Sequence, residues 1–212
     1  MTRHDLSRRA ALGLSLAIAA VASGAAVAQG VPVAAVGQPA PAFSAKDTSG
    51  RTVSLADHKG RWVVLEWTNP ECPYVQKHYD SGNMPATMKR AMEGGAVWLG
   101  VNTGEHTAGT GAQLASWLQA KGAAPTALLL DGDGRIARAY GAKTTPHLYV
   151  VDPQGRLAYA GAIDSKPTAN KADLATAVNY VDAALADAKA GRPVATAQTR
   201  AYGCTVKYPS AG

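Results

Sequence analysis

The chain has 212 residues and only two cysteines, with 21 lysines and arginines against 15 aspartates and glutamates, for a net charge of +6. Two thiols exclude a disulfide-dense scaffold and a multi-cysteine metal site. The basic residues are scattered, with no clustered run interleaved with aromatics, which excludes a nucleic-acid-binding stripe.

Ser7, Arg8 and Arg9 precede a weakly apolar, alanine-rich run that ends in Ala26, Val27 and Ala28. Residues 1–28 therefore read as a twin-arginine export signal with a small-residue cleavage site. The competing reading is an uncleaved membrane anchor, because Ala10 to Val27 nearly spans a bilayer. Gly13, Ser15, Ser23 and Gly24 favour the signal, and membrane attachment is expected only if it is left uncleaved. The expected location is the periplasm, an oxidising compartment in which two cysteines form one bond at most. Residues 29–212 still suffice for one domain with a sizeable core.

Residues 29–42 hold Pro32, Pro39 and Pro41 among alanines and glycines and predict an extended, largely unordered linker. The domain is expected over 43–190. Phe43 to Lys46 and Thr52 to Leu55 flank the turn-forming Asp47, Thr48, Ser49 and Gly50, which predicts an N-terminal β-hairpin. Trp62 to Trp67 is a continuous apolar strand broken only by Glu66, the pattern of a strand buried on both faces. Pro73 suits the first position of a helix and puts Cys72 at its N-cap. That helix falters at Ser81, Gly82 and Asn83 and restarts at Pro85, up to Gly94 and Gly95.

Ala96 to Asn102 follows as a strand. Thr110 and Gln113 fit a capping box for a helix lined by Leu114, Trp117 and Leu118 and ended by Gly122. Thr126 to Leu130 predicts a strand and Arg135 to Tyr140 a helical turn. His147 to Val151 and Arg156 to Gly161 predict a hairpin around Asp152 to Gly155. Leu174, Val178, Val181 and Leu185 recur at intervals of four, three and four, predicting an amphipathic helix to about Ala190. Residues 191–212 form a tail with no clear period except Thr205 to Tyr208, and Cys204 sits in it. Strands alternating with helices give an α/β domain with a mixed central sheet.

Cys72 at a helix N-terminus faces unpaired backbone N–H groups and the positive end of the helix dipole, both of which favour the thiolate. The alternative is a small buried hydrophobe. Among the histidines, His78 is expected to face solvent, and strand alternation leaves open whether His147 flanks the site. A copper or zinc site built from Cys72 with His78, His147 or Cys204 is a further alternative, disfavoured because no local Cys/His pair has ligand spacing. Met84, Met88 and Met92 read as core.

Val36 to Phe43, Trp62 to Tyr79 around the cysteine, Thr145 and Pro146 before a strand, and Asp152 to Arg156 after it together resemble the thioredoxin-like redoxins. That family includes thioredoxins, cytochrome-maturation thiol reductases and the alkyl hydroperoxide reductase or thiol-specific antioxidant group of peroxiredoxins. The resemblance covers roughly residues 36–190 and implies a thioredoxin-like fold, with a mixed central sheet flanked by helices. It implies that Cys72 is the attacking cysteine. It also implies that Pro146, preceded by Thr145, is a cis-proline packed against the thiol. Glu66, six residues before Cys72, stands where thioredoxins keep a buried carboxylate for proton transfer. Taken physically, an acid in an apolar strand has a raised pKa and can shuttle a proton; the alternative is a solvated or salt-bridged residue.

The sequence also departs from the family. Val75 stands where a Cys-x-x-Cys motif has its second thiol, so ordinary chemistry of that motif is excluded. Leu65 and Asn69 replace the proline and the hydroxyl residue that peroxiredoxins carry before their cysteine, with Thr68 displaced by one. Their substrate-binding arginine is missing too. A peroxidase assignment is weakened, although Thr68 and Asn69 remain candidate donors to a peroxide oxygen.

Cys204 is the natural substitute for the missing thiol. The stretch from Ala190 to Cys204 extends at most about 45–50 Å, whereas a domain of this size has a radius of gyration of about 16 Å, so the tail can reach Cys72. Gly203 permits a close approach or a sharp turn. Three readings stay open: a redox-active Cys72–Cys204 pair, a structural disulfide worth up to about 5 kcal/mol in the chain-entropy model, or an unpaired Cys204. The leading expectation is an exported thiol oxidoreductase that reduces a peroxide or disulfide substrate. It would need an external thiol reductant and no metal or organic cofactor. The alternative is a non-enzymatic envelope binding protein on a thioredoxin scaffold with a structural Cys72–Cys204 disulfide.

Overall fold

The computed structural model describes residue 1 and residues 33–104 and 110–209. The predicted export signal falls outside them, apart from Met1. No described helix is long and apolar enough to cross a membrane.

Strands β1 (Ser44–Lys46) and β2 (Thr52–Ser54) form the expected hairpin. The Asp47 carboxylate organises its turn by accepting from the Ser49 and Arg51 amides, each at 2.9 Å. Strand β3 (Val63–Trp67) is buried at every position because it is central in a five-stranded sheet. On one side it pairs in parallel with β4 (Val97–Thr103), which pairs in parallel with β5 (Ala127–Asp131). On the other it pairs antiparallel with β7 (His147–Val151), which pairs antiparallel with β8 (Leu157–Gly161). A two-residue strand β6 (Thr144–Thr145) precedes β7 and pairs only with β9 (Cys204–Thr205).

Strand alternation divides the core between two faces. Val64 and Trp98 pack with α1 (Pro73–Asp80), α2 (Asn83–Glu93), α3 (Gly111–Ala120) and α5 (Tyr180–Lys189), through residues such as Val75, Met88, Leu118 and Leu185. Val63, Leu65 and Trp67 point the other way, toward Ile136 and Tyr140 of α4 (Arg135–Tyr140) and Tyr149 of β7. There the Trp67 ring lies 5.5 Å from Tyr140 and 5.2 Å from Tyr149, an aromatic cluster that ties α4 to the sheet.

Three elements differ from the sequence expectation. The last helix does not begin at Leu174 but at Tyr180. Asn179 caps it, accepting from the Val181 and Asp182 amides, and Leu174 lies in a separate 3-10 turn, Lys171–Thr176. Val178, counted on the apolar stripe, is 55% exposed; an asparagine N-cap overrode the periodicity. Thr110 has ψ 3° rather than the extended backbone of a capping box. Residues 34–40, expected to be unordered, are held by backbone bonds: Gly37 N–H to Leu157 O at 2.7 Å, Leu157 N–H to Gln38 O at 2.9 Å and Ala40 N–H to Gly155 O at 2.8 Å. Val36 and Ala40 also pack on the Trp67 side of the core.

Trp67→Ala should destabilise the domain by about 3–5 kcal/mol, because it empties the centre of this cluster. Equilibrium urea unfolding measures it, and a loss under about 1 kcal/mol would contradict a packed core at this position.

Candidate active site

Cys72 is the N-cap of α1, with extended backbone at φ −80°, ψ 120° and Pro73 at the first helical position. A turn delivers it from the end of β3, with the Cys72 amide donating to Asn69 O at 3.0 Å. The Asn69 side chain accepts from the Glu71 amide at 2.9 Å, so its role here is to shape that turn. Cys72 is 1% exposed, and its thiol donates to the Thr145 carbonyl at 3.0 Å. The Thr145–Pro146 peptide is cis, as the resemblance implied.

The tail completes the site. β9 runs antiparallel to β6, with Thr144 opposite Thr205 and Thr145 opposite Cys204. Cys204 thereby lies beside the carbonyl to which the Cys72 thiol donates. Gly203 makes this possible: a Cβ there would fall 1.9 Å from Thr145 O and 2.7 Å from Thr145 C, and its φ of 136° disfavours other residues. Cys72, Thr145, Pro146 and Cys204, picked from distant parts of the sequence, thus meet at one place.

The two thiols are electrostatically unequal. Burial pushes the Cys72 pKa up, but it is outweighed by contacts that favour the thiolate, from the Cys204 thiol, Thr145 and the Val75 amide of the first helical turn, and the net shift is downward. The buried Thr145 hydroxyl has no hydrogen-bond partner among the described residues. Cys204 is pushed up to about 11, first by burial and then by its contact with Cys72 and the charge there. Cys72 is therefore the better nucleophile and Cys204 the proton-bearing neighbour.

Glu66 is buried on the Cys72 side of the sheet, where its carboxylate accepts from Tyr79 Oη at 2.8 Å and Trp98 Nε1 at 2.9 Å. Burial raises its pKa to about 7, against the opposing effect of these donors. The alternative of a solvated or salt-bridged residue does not hold. Tyr79 thus contributes a specific bond, while no hydrogen bond joins Glu66 to Cys72 itself.

His78 corrects the expectation of a solvent-facing residue, since it is fully buried. It belongs to a polar cluster with Lys77, Asp164 and Tyr202 that sequence reading missed. His147 lies among Tyr149 and Lys143, on the sheet face away from Cys72. Among the described residues, no group of three or more His, Cys, Asp or Glu side chains is placed to hold a metal ion.

The strand order and the flanking helices are those of a thioredoxin-like fold. A hypothetical protein from Sinorhizobium meliloti shares it, with a TM-score of 0.70 at 23% identity over 85% of this chain and 98% of its own. The thioredoxin domain of a thiol-disulfide oxidoreductase from Bacteroides vulgatus does so with a TM-score of 0.50 at 24% identity, over 59% and 87% respectively. Residues 36–160 match the AhpC/TSA family, and the chain belongs to it. It is distantly homologous to the thiol-disulfide oxidoreductase ResA of Bacillus subtilis, 27% identical over 128 residues. That match spans 57% of this chain and 64% of the relative.

Two outcomes test the site's construction. Gly203→Ala should unseat β9 at a cost of more than about 1 kcal/mol, read as faster alkylation of Cys72 by iodoacetamide; an unchanged rate would mean the close approach is not made in solution. Glu66 ionises near 4.5 when unfolded and about 7 when folded. The stability it contributes is therefore full below pH 4.5 and lost as pH rises through 7, by roughly 3 kcal/mol at 1.36 kcal/mol per unit. Glu66→Gln should lack that fall, and parallel stability curves for variant and wild type in urea between pH 4.5 and 8 would refute the assignment.

Proposed function

We propose that the protein is an exported, periplasmic thiol oxidoreductase of the redoxin type that reduces a disulfide or a peroxide through Cys72, with Cys204 as the resolving thiol. The observation that carries this reading is the seating of Cys204 opposite Thr145, against a Cys72 whose pKa is lowered while its own is raised.

With a disulfide substrate, the Cys72 thiolate attacks one sulfur, the substrate S–S bond breaks and one substrate thiolate leaves. Cys204 then gives up its proton and attacks the Cys72 sulfur, expelling the second substrate thiolate and forming the Cys72–Cys204 bond. With a peroxide, Cys72 attacks oxygen, the O–O bond breaks and the alkoxide or hydroxide takes up a proton. Cys204 then displaces water from the sulfenic acid. In both cases the substrate gains two electrons, and an external thiol reductant returns them by reducing the intramolecular bond.

The thiol inequality fits this order. Two of the influences that hold Cys204 near 11 come from Cys72, and both change once Cys72 is bonded to substrate sulfur or oxygen and no longer carries charge. Cys204 thus becomes easier to deprotonate at the stage where it must attack. Glu66, protonated for much of the time near neutral pH, is the candidate proton store on the same side of the sheet. Thr145 and Pro146 supply the backbone wall of the site. No metal or organic cofactor takes part in these steps.

Cys72→Ser should abolish thiol-coupled reduction of hydrogen peroxide and of a small disulfide such as oxidised glutathione. Cys204→Ser should still undergo the first attack and accumulate a Cys72 adduct, visible as a mass increase of one glutathione. Full turnover in the Cys72 variant would sink the enzymatic reading. Failure of the wild type to form an intramolecular bond on oxidation would remove Cys204 as the resolving thiol.

A further inference from the structure

Two residues before Cys204, Tyr202 enters a buried polar cluster that none of the proposed steps uses. Its hydroxyl donates to Asp164 Oδ1 at 2.5 Å, and that oxygen also accepts from the Lys166 amide at 2.8 Å. Lys77, fully buried in α1, sits 3.5 Å from Asp164 Oδ2 and donates to Lys166 O at 2.9 Å. His78, the next residue of α1, has Nε2 3.1 Å from the Tyr202 hydroxyl and Nδ1 2.8 Å from Asn83 Nδ2.

The donors fix the direction of the chain. The Asn83 amide donates to His78 Nδ1, which leaves the proton on Nε2. His78 Nε2–H donates to the Tyr202 oxygen, and the Tyr202 O–H donates to Asp164. A neutral imidazole suits this arrangement, and burial together with Lys77 holds the His78 pKa down to about 4 despite the nearby Asp164. The Tyr202 ring lies 5.9 Å from the Tyr74 ring and 5.7 Å from the Lys77 ammonium. Lys77, His78 and Tyr74 all belong to α1, the helix whose N-cap is Cys72. The cluster therefore joins the helix that carries one thiol to the tail that carries the other.

Buried ionic groups are costly unless they are paired and hydrogen-bonded. Here the tail itself supplies a donor to the buried carboxylate. Lifting Tyr202 out would strip Asp164 of that donor and His78 of its acceptor, while Lys77 and Asp164 stayed in place. Such a cluster opposes release of the tail together with the β6–β9 pairing and the backbone bonds from Val206 N–H to Lys143 O at 3.0 Å and from Thr199 N–H to Ala160 O at 3.1 Å.

We infer that Tyr202, Asp164, Lys77 and His78 form a clasp that positions Cys204 against Cys72, so that the ordering needed for disulfide formation is already met in the reduced protein. The inference rests on the proposed pairing of the two cysteines. These are positioning residues, acting on the chemistry only through the tail. Oxidation of the pair by oxidised glutathione balances as two protein thiols giving two electrons and two protons to one glutathione disulfide, yielding one protein disulfide and two glutathione thiols.

Tyr202→Phe is the informative variant, because it removes the hydroxyl but keeps the ring against Tyr74 and Lys77. Wild type and variant, each as the full chain, are equilibrated in glutathione redox buffers at pH 7, quenched and quantified by mass. The equilibrium constant for the Cys72–Cys204 bond should fall tenfold or more in the variant, a shift of about 30 mV for a two-electron couple. In a Cys204→Ser background, the same substitution should raise the alkylation rate of Cys72 by iodoacetamide at least tenfold. A lower melting temperature with both readouts within twofold of their parents would make the cluster merely structural and overturn the inference. If the wild type forms no Cys72–Cys204 bond, the functional reading fails by itself. The alkylation ratio then decides whether the clasp holds the tail, an unchanged ratio overturning it as well.

Discussion

The antiparallel pairing of β9 with β6 is the constraint on which the site depends. It joins Thr145 to Cys204, which lie far apart in the sequence, and its close approach is possible only because Gly203 has no side chain to meet the Thr145 carbonyl. The same carbonyl accepts from the Cys72 thiol. One peptide group therefore relates the end of β3, the loop before β7 and the tail. Without the pairing, Cys72 would be a thiol at a helix N-terminus whose neighbouring position, Val75, is apolar and buried.

Two carboxylates around this pairing are buried, and specific donors offset the cost of burying them. Glu66 is tolerated in the central strand because Tyr79 and Trp98 both donate to it and because its raised pKa lets it take up a proton instead of remaining charged. Asp164 is tolerated under the tail because Tyr202, the Lys166 amide and Lys77 surround it. Tyr79 and Lys77 come from the same short helix, on which they are buried with Val75 and His78. α1 thus carries Cys72 at its N-terminus and links two buried carboxylates, one beneath the sheet side of the site and one beneath the tail.

Much of this was legible in the sequence where a local rule has a local cause. The proline after Cys72, the apolar run before it and the turn residues of both hairpins act over a few residues, and the elements they predict are present. The reading failed where a distant partner decided the outcome. Leu174 and Val178 kept a helical period, but the Asn179 cap, also bonded to Thr87 of α2, started the helix later. Residues 34–40 have a linker's composition, yet the edge of β8 gives their backbone a partner. His78 reads as a solvated residue because nothing nearby signals a buried carboxylate; Asp164 lies far along the chain, and Tyr202 belongs to a tail with no period. Cys204 was legible only as reach and chemistry, since its register against Thr145 depends on a contact too long in sequence for any pattern to show.

Under the proposed function, the closed arrangement also bears on how a substrate arrives. An extended polypeptide bound by strand addition needs a free edge, and here the edge at Thr144 and Thr145 is taken by the chain's own tail. Cys204 occupies the place opposite Thr145, and Cys72 is only 1% exposed. With the tail seated, the site has the geometry for the second step of the proposed cycle, attack of Cys204 on a sulfur at Cys72. The first step needs room that the tail fills, so a disulfide or peroxide must be small enough to enter beside it or must wait for it to lift. The strength with which the tail is held therefore acts in opposite directions on the two steps: a tighter hold speeds resolution and slows entry.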